Sequence, residues 1–216
     1  MAKTTKTPSD PSGGAYAPPA SGVFIHPPEN IASGGSAVNT FLRLQQATAR
    51  LTATGWTPQT GPALVVLGAE QRLFGLGQGF PPEGWPVSTG LAGFGNEANS
   101  GRTPTGHHRV CACIGGEAPL GMVFKSRVPT GEIIASTTQL GLDCITTRIL
   151  WLEGLEEGIN RGPGIDSRER YIYIHGTPYT HQLGQPVSAG CVRMDNRAII
   201  TLFDQVPILT PVYIFP

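Results

Sequence analysis

A histidine and a cysteine sixteen positions apart carry the chemistry that this sequence offers. His175 ends the apolar run Tyr171-Ile172-Tyr173-Ile174 and is followed by Gly176. Cys191 follows the small residues Ser188-Ala189-Gly190 and precedes Val192. A cysteine nucleophile needs a base within hydrogen-bond reach and backbone N–H donors aimed at the oxyanion that forms on the attacked carbonyl. A strand ending in His-Gly, a loop and a Gly-Cys elbow bring these parts together, because glycine lets the backbone approach a substrate closely. The alternatives are plain ones. A lone cysteine is usually a buried structural thiol, and a histidine can simply close a strand with its hydrogen bonds satisfied.

The elements around the pair are legible too. Alternation along YIYIH sets His175 on the face of Tyr171 and Tyr173, at a sheet edge where a loop begins. After the cysteine, NRAIITLFDQV reads as a short helix that Asp195 or Asn196 caps. A helix N-terminus and a nearby imidazolium would both favour the thiolate. Arg193 is a candidate for holding a substrate carboxylate, with a local ion pair or carbonyl contact as the alternative. Ser188 is a candidate for substrate contact or for hydrogen bonding within the turn. His181, in the polar spacer, reads as solvated or substrate-facing. His107 and His108 open a strand and read as structural.

Residues 1–36, rich in Pro, Gly, Ser and Ala, bury too little to offset their ordering entropy and read as a disordered tail. His26 within it has no chemical role. Residues 37–60 hold a helix, with Val38, Phe41, Leu42, Leu44 and Leu51 at helical spacing and Gly55 as its stop, followed by a linker. The helix either packs on the domain or pairs with a partner. From 61 to 216 the pattern is short strands with glycine punctuation: PALVVLG, QRLFGLG, GWPVSTG, HHRVCACI, GMVFKSR, GEIIAS, ITTRILWLEG, YIYIHG and PVYIF. The fold class is therefore mainly β with a few helices, a β-sandwich or barrel.

Composition excludes several classes. Formal net charge is zero and 14% of residues are charged, so no basic patch points to nucleic acid. No apolar stretch reaches a membrane span, and the lysines of MAKTTKTPSD precede no hydrophobic core of a secretory signal. The expectation from this is the cytoplasm, with the periplasm or cell envelope as the alternative if the start or the export route is misread. Cys111 and Cys113 alternate along one strand and would share a face as small hydrophobes. No metal or cofactor is implied by HExxH, EF-hand, Cys/His, P-loop or GxGxxG patterns.

His175-Gly176-Thr177 and Ser188-Ala189-Gly190-Cys191-Val192-Arg193 together resemble the L,D-transpeptidase catalytic-domain family. That family's motif is His-Gly, a spacer of about this length, and Ser-His-Gly-Cys before a hydrophobic residue, often then Arg. Val87-Ser88-Thr89-Gly90 and Thr103-Pro104-Thr105-Gly106-His107 fit it as well, so the resemblance spans roughly residues 60 to 216. Ala189 departs from the pattern, standing where the family usually has a second histidine. The resemblance implies an L,D-transpeptidase-like fold with Cys191 as nucleophile, His175 as base, and the Gly176 carbonyl orienting the imidazole. Backbone N–H groups of Ala189, Gly190 and Cys191 would form the oxyanion hole.

The substrate so implied is a peptidoglycan tetrapeptide stem, cut between its L-centre and the terminal D-Ala through an acyl-enzyme. Water as acceptor makes an L,D-carboxypeptidase of wall recycling, the favoured expectation. An amine of a second stem makes cross-links. A carbapenem adduct at Cys191 is implied too. A wall-binding module without catalysis is the reading from another class, and the intact His175 and Cys191 argue against it. Papain-like enzymes place the cysteine before the histidine, the opposite of the order here, and the caspase signature is absent.

Overall fold

The computed structural model describes residues 35–136 and 144–216. The tail expected over 1–36 lies outside these residues except for Gly35 and Ser36, which already belong to the first helix.

That helix, α1 (Gly35–Ala53), ends where Gly55 adopts φ +91°, a left-handed turn that glycine accepts without penalty. It packs on the sheet: Leu44, Ala47 and Leu51 are buried against Trp56, Val65, Leu67 and Phe74. Arg43 ties the helix down further, pairing with Glu70 at 2.9 Å, lying 4.6 Å over the Phe215 ring and donating to the Pro216 carbonyl.

The strands are β1 (Ala63–Leu67), β2 (Arg72–Leu76), β3 (Trp85–Ser88), β4 (Gly106–Ile114), β5 (Met122–Lys125), β6 (Val128–Ile133), β7 (Ile145–Gly154), β8 (Tyr173–Thr177), β9 (Val192–Asp195) and β10 (Pro211–Phe215), with α2 (Asn196–Phe203) between the last two. They form one sheet in the order β4-β10-β1-β2-β3-β9-β8-β7-β5-β6, and β4 also pairs with β7. The extra pairing joins the ends of an eight-strand run into a closed, barrel-like ring and leaves β5 and β6 as a hairpin outside it. β1–β10 and β8–β9 are parallel; the remaining pairs are antiparallel.

Inward side chains from all eight ring strands make the main core, including Leu64, Val110, Leu150, Ile174, Val192 and Met194, with Ile199 and Leu202 of α2. β1 is buried along its whole length because α1 covers its other face, which is why ALVVL reads as an unbroken apolar run. A third cluster lies outside the ring, around Phe124, Ile149 and Tyr173, and Cys191 packs against it.

Several expectations are corrected. β6 begins at Val128, three residues before the predicted GEIIAS strand. β8 begins at Tyr173, since Tyr171 turns with φ +56° and stands exposed. β8 is no sheet edge: β7 and β9 flank it. No sequence pattern marks β9, which separates Cys191 from α2. Four strand residues span about 13 Å, so the helix N-terminus does not abut the thiol. A bulge between Val110 and Ala112 shifts the β4 register. Cys113 therefore packs on the core with Val110, while Cys111 lies with Glu153 and Arg168 on the other face.

Candidate active site

The parallel pairing of β8 with β9 brings the predicted residues together. Ile174 sits opposite Val192, and both point inward. Alternation then places Tyr173, His175, Cys191 and Arg193 on the opposite, outer face. Arg193 is the register partner of His175, and Cys191 lies two positions earlier, beside Tyr173.

His175 is 1% exposed, and its Nδ1 lies 2.8 Å from the Gly176 carbonyl oxygen. A carbonyl only accepts, so that contact places the proton on Nδ1 and makes Nε2 the basic nitrogen. The neighbouring Gly176 has no room for a side chain. A Cβ there would stand 2.5 Å from Asn196 Oδ1 and 2.6 Å from the Thr146 carbonyl oxygen. Asn196 opens α2 behind an Asp195 cap, which accepts from Arg197 N–H and Ala198 N–H. Its Oδ1 accepts from the Thr146 and Thr147 hydroxyls at 2.7 and 2.6 Å, and its Nδ2 donates to the Ala135 carbonyl at 2.8 Å. Thr147 has φ +69°, unusual for a β-branched residue, at the irregularity where β7 loses register with β8. The histidine thus rests on a backbone that several buried hydrogen bonds hold in place.

Cys191 Sγ lies 3.4 Å from the Tyr173 N–H, which donates to it, and 3.5 Å from the Tyr171 carbonyl, to which the thiol donates. The elbow before it is cross-braced. The Ser188 hydroxyl donates to the Cys191 carbonyl at 2.6 Å and accepts from Gly190 N–H at 3.1 Å, an architectural use of that side chain. Ser188 N–H donates to the Thr89 carbonyl, and its own carbonyl accepts from Leu91 N–H. Gly190 has φ +121°, and the Thr103 hydroxyl donates to its carbonyl at 2.9 Å. Thr103 Oγ1 also accepts from Gly90 N–H at 2.8 Å. Both outlying sequence blocks, 87–90 and 103–107, therefore meet at the elbow.

Ala189 is exposed and lines an open groove of about 410 Å³ with Leu91, Ala92, Val187, Ser188 and Arg193. Arg193 is 6% exposed, and its Nη1 donates to Gln182 Oε1 at 3.3 Å. His181 stands exposed in a single 3-10 turn (Thr180–Gln182) of the spacer, away from the buried face of β8. His108 is buried, with Nδ1 3.0 Å from the Gly106 carbonyl and Nε2 2.9 Å from Ser167 Oγ. Burial pushes its pKa down to about 4, against a smaller upward pull from the Gly106 hydrogen bond. It is a structural histidine, held between β4 and the turn that carries Ser167.

The sequence profile of the L,D-transpeptidase catalytic domain matches residues 61–214. The chain belongs to the L,D-transpeptidase catalytic-domain family. The helix α1 precedes the matched region. A comparison with curated proteins finds no match. Solved structures with which this L,D-transpeptidase-family chain aligns include an L,D-transpeptidase from Mycobacterium smegmatis, 15% identical over 72% of this chain and 58% of that one, TM-score 0.41. Another is the L,D-transpeptidase of Xylanimonas cellulosilytica DSM 15894, 22% identical over 72% and 60%, TM-score 0.40. A third is L,D-transpeptidase 3 from Mycobacterium tuberculosis in complex with a faropenem-derived adduct, 17% identical over 72% and 61%, TM-score 0.38. The chain spans about three-fifths of the length of these proteins.

Sequence reasoning missed some residues that build the site. Tyr173 N–H and the Tyr171 carbonyl act through the main chain, which no side-chain pattern reveals. Asn196 was read only as a possible cap. Arg170 is silent in the sequence, because a single arginine in a polar turn carries no signal until the chain is folded.

Proposed function

We propose that the protein transfers an acyl group from a peptidoglycan tetrapeptide stem through a thioester on Cys191. The observation that carries this reading is the His175 contact with the Gly176 carbonyl, which turns Nε2 into a base on the face that also bears Cys191. Family membership supports the substrate class.

In this reading His175 Nε2 takes the thiol proton as Cys191 Sγ attacks the carbonyl joining the stem's L-centre to D-Ala. The oxyanion is met by backbone N–H groups among Ala189, Gly190 and Cys191. Gly190 N–H is shared with Ser188 Oγ, so it serves at full strength only if that contact loosens. The protonated His175 then returns its proton to the departing D-Ala nitrogen. Arg193, which lines the groove, offers a cation for a substrate carboxylate.

For the second half-reaction we infer water as the acceptor, giving tripeptide and D-Ala. Ala189 supports this: its exposed methyl leaves the groove open and supplies no imidazole to deprotonate an incoming ammonium. The cytoplasm, with murein recycling as the setting, remains the compartment proposed with it.

The test incubates purified protein with a disaccharide tetrapeptide, with and without excess D-amino acid. Tripeptide should dominate in both. Dimer or exchanged tetrapeptide as main product would replace hydrolysis with transpeptidation, and no D-Ala release would remove the enzymatic reading. His175→Ala should slow acylation by about 10²- to 10⁴-fold, and His181→Ala far less.

A further inference from the structure

We propose that Arg170 is a positioning residue for the Cys191 elbow: it fixes the carbonyl against which Gly190 rests and sets a permanent positive charge within Coulombic reach of the sulfur. The inference rests on Cys191 being the reacting thiol.

Arg170 lies in the turn just before Tyr171, whose carbonyl is one of the two main-chain partners of Cys191 Sγ. Its guanidinium reaches across to the 90–103 loop. Nη1 donates to the Gly95 carbonyl at 3.2 Å and Nη2 to the Arg102 carbonyl at 2.5 Å. The Arg102 carbonyl is also the surface on which the elbow leans, since a Cβ on Gly190 would stand 3.0 Å from its oxygen. The next residue, Thr103, holds the Gly190 carbonyl through its hydroxyl. One side chain therefore ties three parts of the site together: the turn that presents Tyr171, the 90–103 loop, and through that loop the Gly190–Cys191 elbow. A planar fork that bonds two carbonyls suits this task, and a lysine cannot copy it.

The charge follows from the same placement. The guanidinium is half-buried, which lowers its pKa from the ordinary value, while Glu97 and then Cys191 act on it in the opposite direction. Glu97 is the larger of the two; the Cys191 part is the Coulombic attraction between guanidinium and thiolate, in keeping with Arg170 standing next to Tyr171, whose carbonyl contacts Sγ. Other charged or titratable groups face Cys191 from neighbouring elements. Tyr173 and His175 come from β8, Arg193 from β9, Tyr171 from the preceding turn, and Arg127 from the β5–β6 turn through its 3.0 Å hydrogen bond to the Tyr173 hydroxyl. Arg127 already stacks on Trp151 and Tyr171 at 4.8 Å each. Arg170 is the one in this set that also braces the elbow's supporting loop.

The test follows the rate of Cys191 alkylation by iodoacetamide against pH, with the labelled residue identified by mass spectrometry, in the unaltered protein, Arg170→Gln and Arg170→Lys. Arg170→Gln should move the midpoint of the profile upward by about one pH unit, as expected on loss of a nearby opposite charge. Arg170→Lys should keep the midpoint within a few tenths, because the charge remains. It should still lower kcat for D-Ala release more than it changes KM, because the fork is lost. A purely structural role would leave the alkylation midpoint of every folded variant unchanged. An unmoved midpoint in Arg170→Gln therefore overturns the inference, as does an equal shift in both variants. If Arg170→Gln does not fold, Arg170→Lys decides: an unchanged kcat refutes the positioning role. Labelling of Cys111, Cys113 or Cys144 in place of Cys191 in the unaltered protein would instead bring down the nucleophile reading, and this inference with it.

Discussion

Lowering the pH from 7 to 5 should destabilise this protein through His108. His108 is 1% exposed, and its folded pKa lies at about 4 against an ordinary value of 6.5. Its Nδ1–H donates to the Gly106 carbonyl, so Nε2 accepts from the Ser167 hydroxyl. Both contacts suit the neutral ring. The unfolded chain takes up a proton near pH 6.5 while the folded chain resists until about pH 4. Between those values the unfolded state holds more protons, so stability rises with pH and falls on acidification. The contribution is fully present above pH 6.5 and is lost progressively down to about pH 4. Linkage gives a loss of about 2 kcal/mol between pH 7 and pH 5 from this group alone. His107, whose pKa burial also lowers, adds a smaller effect of the same sign. Urea unfolding at pH 7, 6 and 5 reads the slope. His108→Gln is less stable at pH 7, since it disturbs a buried hydrogen-bonded pair, but its stability should be flatter with pH by about that 2 kcal/mol. A variant with the same slope as the unaltered protein would refute the reasoning.

Four further outcomes follow from the geometry. Gly176→Ala, whose Cβ meets the Thr146 backbone at 2.6 Å, should cost about 1–3 kcal/mol and depress D-Ala release beyond what the loss of folded protein explains, read by melting and kcat together. Asp195→Ala removes two N–H contacts at the start of α2 and should cost about 1 kcal/mol in urea unfolding with little change in KM. Leu51→Ala, at a site 1% exposed between α1 and the barrel, should cost about 2–5 kcal/mol while leaving the alkylation profile of Cys191 unchanged. Brief alkylation near neutral pH, and exposure to a carbapenem, should both modify Cys191; a label elsewhere would refute the assignment of the nucleophile.

The strands that read most clearly in the sequence are long or densely apolar runs, one uniformly buried, one strictly alternating and one buried through most of its length. ALVVL, ITTRILWLEG and PVYIF all stand where their patterns placed them. β9 escaped notice because Val192–Asp195 is short and leads directly into α2, so its four residues looked like a helix approach. The faces of Cys111 and Cys113 were misjudged because a bulge leaves no mark on composition. The His175–Gly176 and Ser188–Cys191 segments were visible by residue type and spacing. What lay hidden was their bracing, which comes from main-chain groups and from Thr103, Arg170 and Asn196, residues distant in sequence and ordinary in type.

The place of β10 has a consequence for how the chain comes to be folded. Residues 211–215 form an interior strand, with β1 on one side and β4 on the other. The first strand of the barrel therefore waits for the last. Until that segment leaves the ribosome, β1 and β4 face each other across an empty slot with unpaired backbone groups. Their contacts join residues far apart in the chain, the kind that close slowly. An open slot of that kind is the sort of sheet edge at which another chain's strand can insert. Loss of those five residues would open the ring at its seam and leave β1 and the start of β4 at Gly106 without their shared partner.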